Sequence, residues 1–135
     1  MGMFKDSSEV DKVIGGFLRM LGQTEDLAGK MLATRLKFKI NYTEPDVIVF
    51  VDCSGSAAEV RINDAATVPD IELWMKSDVG HQFWLGKVNL AVALATKKIK
   101  AKGSIPKLLK LLPIIQPAFK MYPSYLRDQG LTSYL

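Results

Sequence analysis

Lys98-Ile-Lys-Ala-Lys-Gly-Ser-Ile-Pro-Lys-Leu-Leu-Lys-Leu-Leu112 changes its hydrophobic period in mid-stretch, and that change decides the architecture. Ile99 and Ala101 alternate with Lys98, Lys100 and Lys102, the two-residue period of a strand with one wet face. Gly103 breaks the strand, Ser104 is placed to cap a helix, and Pro106 suits a first helical turn. Leu108, Leu111 and Leu112 then recur at helical spacing. A one-faced strand running straight into a leucine-rich helix predicts a sheet covered by helices on its apolar side.

Upstream, Ile71, Leu73 and Met75 alternate with Glu72, Trp74 and Lys76, a second strand of the same character. Between the two strands, Asp78 can cap a helix containing Phe83, Trp84 and Leu85 that Gly86 ends. Asn89 can cap another containing Leu90, Ala93 and Leu94. Downstream, Pro113 and Pro117 must kink or interrupt the last helix, since each removes an amide donor.

The N-terminal half fits the same scheme. Val10, Val13, Ile14, Phe17, Leu18 and Leu21 recur at spacings of three and four behind a Ser8 cap, and Thr24 with Glu25 and Asp26 opens a second helix to about Ala33. From Thr34 to Tyr42, Leu36, Phe38, Ile40 and Tyr42 alternate with Arg35, Lys37, Lys39 and Asn41. Val47 to Cys53 is a nearly continuous apolar run, as in an inner strand, and Val60 and Ile62 belong to a third strand beyond Ser54-Gly55-Ser56. The expected class is α+β, with antiparallel pairing among the first three strands.

The 135 residues, 48% hydrophobic, bound the chain to one domain over 1–135 with one core and room for one cavity. Met1 to Ser7 lacks the apolar stretch of a signal peptide, and no run reaches the roughly 18 apolar residues of a spanning helix. Asp6 stands where a Gly2 myristoylation signal wants Ser or Thr. A lone cysteine, Cys53, excludes an internal disulfide and fits a reducing, cytoplasmic setting. Charge is uneven: residues 87–135 hold eight lysines and Arg127 against Asp128 alone, which favours an anionic partner or a solvated basic face.

His81-Gln-Phe-Trp-Leu-Gly-Lys-Val-Asn89 and the Lys98–Leu112 stretch, with this order of elements, resemble the sterol carrier protein type two family over about residues 8–120. The resemblance implies a five-stranded mixed sheet in the order 3-2-1-4-5, helices on one face, and a hydrophobic tunnel between them. It also implies a lipid ligand, whether fatty acid, fatty acyl coenzyme A, phospholipid or sterol-like molecule. Gly86-Lys87 is similar to the family's glycine-lysine, and Gly103 to the glycine opening the final helix. Lys97 stands where many members carry glycine, and Thr132-Ser-Tyr-Leu135 is not the peroxisomal tripeptide.

The segments meant to cover the sheet carry more apolar surface than a small sheet needs, which points to a hollow interior. Phe38, Ile40, Leu73, Met75 and Ile99 are the expected floor of a ligand site. Phe83, Leu90, Leu94, Leu108, Leu111, Leu112, Ile115 and Phe119 are the expected roof. Lys107, Lys110 and Lys120 interleave with apolar residues and predict transient contact with an anionic membrane surface. The competing expectation is a solid core in an accessory subunit that binds an acidic partner or dimerises.

Nothing calls for catalysis or a cofactor. Cys53 and His81 have no spacing that pairs them, and His81 reads as a surface residue of a helix's first turn. One histidine without paired cysteines builds no metal site, and Gly15-Gly16 inside a helix lacks the context of a phosphate loop. The outward lysines carry few aromatics besides Trp74, which argues against nucleic acid; oligomeric state has no signature.

Overall fold

A computed structural model describes residues 3–135; Met1 and Gly2, on which the leader and myristoylation readings fall, lie outside the described residues. Five strands form one sheet in the order β3-β2-β1-β4-β5: β1 Lys37–Thr43, β2 Val47–Asp52, β3 Glu59–Ile62, β4 Ile71–Lys76 and β5 Lys100–Gly103. Only β1 and β4 pair in parallel; the other neighbours are antiparallel. The expected α+β class and strand order are observed.

Register follows the hydrophobic alternation. Ile40 lies opposite Val49 on one side and Leu73 on the other, while Lys39 lies opposite Phe50 and Glu72. A one-residue slip would turn every apolar side chain to the wrong face, so burial of one face specifies the pairing. The outer face also carries Phe50, fully buried although it points away from the helices. Arg61, its partner in register, lays its guanidinium 5.0 Å from the ring centroid and is held by Asp52, Glu59 and Asp64 at 2.7–3.1 Å. Asn63 is bonded to Ile48 and Asp70 to Lys37, so the segment between them crosses from one end of the sheet to the other. β2 is thus buried on both faces, which is why its sequence runs apolar almost without a break.

The first helical stretch is α1 Ser7–Val10, a π-helical turn Asp11–Gly15 and α2 Gly16–Leu21. Its cap is Asp6, whose carboxylate accepts from the Glu9 amide at 3.0 Å, and not Ser8 as expected. Asp6 is two residues further out and, as a carboxylate, better matched to the positive helix end. α3 spans Glu25–Ala33 behind Thr24. The chain enters β1 through Arg35 in the left-handed region (φ 58°), so the strand begins at Lys37 and not at Thr34.

α4 Ser77–Trp84 begins one residue before Asp78, whose carboxylate accepts from the Met3 amide at 2.8 Å and does not cap the helix. α5 Leu90–Ala95 is capped by Asn89 and α6 Ile105–Ile115 by Ser104, both as expected. Pro113 does not break α6. The carbonyl it leaves unpaired is that of Leu109, an exposed residue of the helix, where solvent can take the donor's place. The break falls at Gln116-Pro117, after which α7 Ala118–Asp128 and a 3-10 turn Thr132–Tyr134 follow. The sequence reading stopped short of these last two elements.

Two hydrophobic clusters share the helix side of the sheet. One gathers the α1–α2 stretch, α7 and the Tyr42 end of β1; the other gathers α5, α6, β4 and the Phe38 end. The space between them is where the functional site lies.

Candidate functional site

An apolar cavity of about 130 Å3 lies between the sheet and its helices, within a hollow of about 1020 Å3 when its open mouth is counted. β1 supplies Phe38, Ile40 and Tyr42 to the floor, with Leu73 and Met75 from β4 and Ile99 from just before β5. Leu108, Leu111, Leu112 and Ile115 line it from α6, Phe83 from α4 and Leu90 from α5. The inward alternation of the strands and the i, i+3, i+4 spacing of α6 put these side chains on facing surfaces.

Two expected wall residues stand elsewhere. Leu94 packs half-buried against the second cluster, and Phe119 sits edge-on to Phe83 with centroids 5.3 Å apart, backing a wall residue without reaching the cavity. The sequence reading missed a whole side of the site. Leu18 and Leu21 of α2, Leu27 and Met31 of α3, and Val51 and Cys53 at the end of β2 also line the cavity. Their signal was present as helical spacing in both segments, but it reads equally well as solid core.

Electrostatically the cavity is bare. Among the described residues no lysine, arginine, histidine or carboxylate lines it; the polar side chains in its wall are those of Tyr42, Cys53 and Trp84. Burial, reinforced by the charge of Asp52, pushes the Cys53 thiol up to about 11, which leaves it a poor nucleophile.

His81 is buried, contrary to its reading as a surface residue. α4 turns it inward beside Gly80, so that Nε2 donates to the Tyr134 carbonyl and Nδ1 accepts from the Tyr122 hydroxyl, both at 2.6 Å. Burial lowers its pKa, and the carbonyl bond opposes this only in part. With both nitrogens engaged by Tyr122 and Tyr134, the imidazole serves as a tie between α4, α7 and the C-terminal turn. Among the described residues no cluster of three or more His, Cys, Asp or Glu side chains could hold a metal.

Lys107, Lys110 and Lys120 are exposed, and Leu109 lies between the first two at 38% exposure. No described helix is long and apolar enough to cross a membrane.

Two glycines of the stretches that carried the family resemblance take backbone conformations that favour glycine. Gly86 and Gly103 take φ of 80° and 113°, and the carbonyl of Asp70 lies where a side chain at Gly103 would project. Lys97 also lies in the left-handed region, at φ 64°, without being the residue that favours it.

Known proteins agree with this geometry. Sterol carrier protein 2 of Yarrowia lipolytica in its apo form has 22% identity and a TM-score of 0.58, over 83% of this chain and 91% of that one. The sterol carrier protein domain 2 of Helicoverpa armigera has 17% identity and a TM-score of 0.59, over 78% and 87%. A conserved hypothetical protein of Thermus thermophilus has 17% identity and a TM-score of 0.59, over 90% and 89%. At such identities these likenesses establish the fold. No curated protein matches the chain. The model of the SCP-2 sterol transfer family matches residues 17–116, a span that holds the sheet, α3 to α6 and every residue of the cavity wall, and the chain belongs to that family.

Proposed function

We propose that this protein binds the hydrocarbon part of a lipid in the cavity between sheet and helices and carries it without catalysing a reaction on it. The observation that carries this reading is an open cavity with almost wholly apolar walls, set between the two hydrophobic clusters of the fold. An apolar cavity of about 150 Å3 stays dry and accepts a benzene ring, so about six carbons fit the enclosed part here. Six buried methylenes contribute about 5 kcal/mol, and the wider mouth adds to this as the chain lengthens. That sum approaches the roughly 8 kcal/mol of a micromolar complex before ordering costs are subtracted. Met31 and Met75 in the wall suit a site that refits to different chains.

The ligand-contacting residues on this reading are the eleven expected side chains that line the cavity, from Phe38 to Ile115, joined by those of α2, α3 and the end of β2. Loading occurs at an anionic membrane surface, with Lys107, Lys110 and Lys120 each gaining about 1 kcal/mol near lipid head groups.

Organic extraction of the purified protein, followed by mass spectrometry, tests the main reading. A stoichiometric lipid is expected, and the stripped protein should then bind a fluorescent fatty acid saturably. A chain that yields no lipid and binds none overturns it. Flotation with vesicles containing anionic lipid should carry the protein, and flotation with neutral vesicles should not. Equal, negligible flotation with both removes the docking surface.

A further inference from the structure

Tyr42 is 3% exposed and lines the cavity at the end of β1, and its hydroxyl has no hydrogen-bond partner among the described residues. Its ring lies over Gly80, another lining residue: a Cβ there would stand 2.5 Å from Cε1 and 3.1 Å from the hydroxyl oxygen. Only glycine lets α4 pass so close to the ring. The neighbouring phenol, Tyr122, is differently placed, since its hydrogen goes to His81 Nδ1 and the other imidazole nitrogen is taken by a carbonyl. The residue is buried but its oxygen is not wholly enclosed, so it opens onto the cavity; a hydroxyl facing apolar walls without a partner is costly, and buried tyrosines ordinarily find one. Phenylalanine would fill the same space without that cost.

We propose that the Tyr42 hydroxyl is the polar anchor of the cavity, donating a hydrogen bond to a neutral hydroxyl or carbonyl oxygen on the end of the lipid that enters first. The inference rests on the lipid-carrier reading above. A carboxylate or phosphate is excluded from that end because no cation among the described residues lines the cavity, and one phenol cannot offset the desolvation of a full charge. An ionic head group therefore stays at the mouth. The cavity selects lipids whose buried end carries uncharged oxygen over plain hydrocarbon tails. Burial holds the phenol well above its ordinary pKa, so it remains a donor at every physiological pH.

The test compares the full-length protein with Tyr42→Phe, which keeps the ring and removes the donor. 1-Decanol and decane compete against a bound fluorescent fatty acid. The expected result is that the variant binds decanol about threefold to tenfold more weakly while decane changes by less than about twofold. In wild-type protein labelled with 13C at tyrosine Cζ, the Tyr42 resonance should move with decanol and stay with decane, a readout that does not depend on the variant's folding. Equal effects of the substitution on both competitors, or none on either, together with an unmoved resonance, overturn the anchor and leave the carrier reading standing. Failure of the fluorescent fatty acid to bind wild-type protein sinks the carrier reading itself, and the anchor with it.

Discussion

The hydroxyl of Tyr122 lies 2.6 Å from Nδ1 of His81, and the proton between them belongs to the tyrosine, because the imidazole's own hydrogen is committed to the Tyr134 carbonyl. This buried bond spans α4 and α7. Tyr134 extends the tie, stacking on Phe4 and donating through its hydroxyl to Glu9, so both ends of the described chain meet at one neutral histidine.

Stability should therefore depend on pH through His81. Its folded-state pKa lies below 6.5 because of burial, so as pH falls through 6.5 the unfolded chain takes up a proton that the folded chain refuses. Stability from this group is complete above about pH 7 and is lost progressively as pH drops toward the lowered folded value. Urea midpoints measured from about pH 8 to about pH 5 should fall below pH 6.5 in the wild type. They should fall less in His81→Gln, which cannot take the proton. Parallel curves for the two proteins would remove His81 as the cause.

The cavity predicts that bulk and charge at neighbouring residues of α6 both weaken binding but at different costs in stability. Leu112→Trp places a larger side chain into free space. Affinity for a fluorescent fatty acid should fall by about tenfold or more, with stability changed by less than about 1 kcal/mol, since filling a void does not force the strain of overpacking. Leu111→Asp should also abolish binding, at a cost of about 2–4 kcal/mol, while leaving a folded protein because the carboxylate can draw water through the mouth. Outright unfolding of Leu111→Asp would instead mark a solid core.

What could be read in the chain and what could not separate along physical lines. The strands and their inward faces were legible because alternation with polar residues is unambiguous: Phe38, Ile40, Leu73 and Ile99 needed only a period of two, whereas the strand order came only with the family resemblance. The α2–α3 side of the cavity was not, because apolar residues at helical spacing are the same whether they line a void or fill a core; Leu27 and Met31 carry no mark of facing space. His81 was misread since burial of a lone histidine depends on partners 41 and 53 residues away, beyond any local pattern. The passage through Pro113 was missed for a related reason: a proline's cost depends on whether the carbonyl it orphans meets solvent.

Lys97 offers a stabilising substitution. A side chain in the left-handed region costs about 1–2 kcal/mol, partly returned by the smaller unfolded-state entropy of a non-glycine residue. Lys97→Gly should stabilise the protein by about 0.5–1 kcal/mol, read as a higher urea midpoint at unchanged slope. The substitution removes an exposed charge outside the cavity wall, so fatty acid binding should not move. Destabilisation would mean that the lysine side chain contributes a contact worth more than the backbone strain.

Cys53 reports on the site's occupancy. With its thiol held near 11 by burial, roughly one molecule in a thousand carries the thiolate at about pH 8, against about a quarter for an unhindered cysteine. Because the thiol is fully buried as well, alkylation by iodoacetamide should run roughly a hundredfold slower than for free cysteine, or slower still. The residue lines the cavity, so the space a lipid would fill is a route for the reagent that does not require unfolding. Labelling of the stripped protein should consequently slow further when a fatty acid is added, and the protection should titrate with the same midpoint as fluorescence binding. Labelling that is slow but indifferent to fatty acid would count against a ligand seated beside this sulfur, because a chain packed against the thiol should slow the reagent.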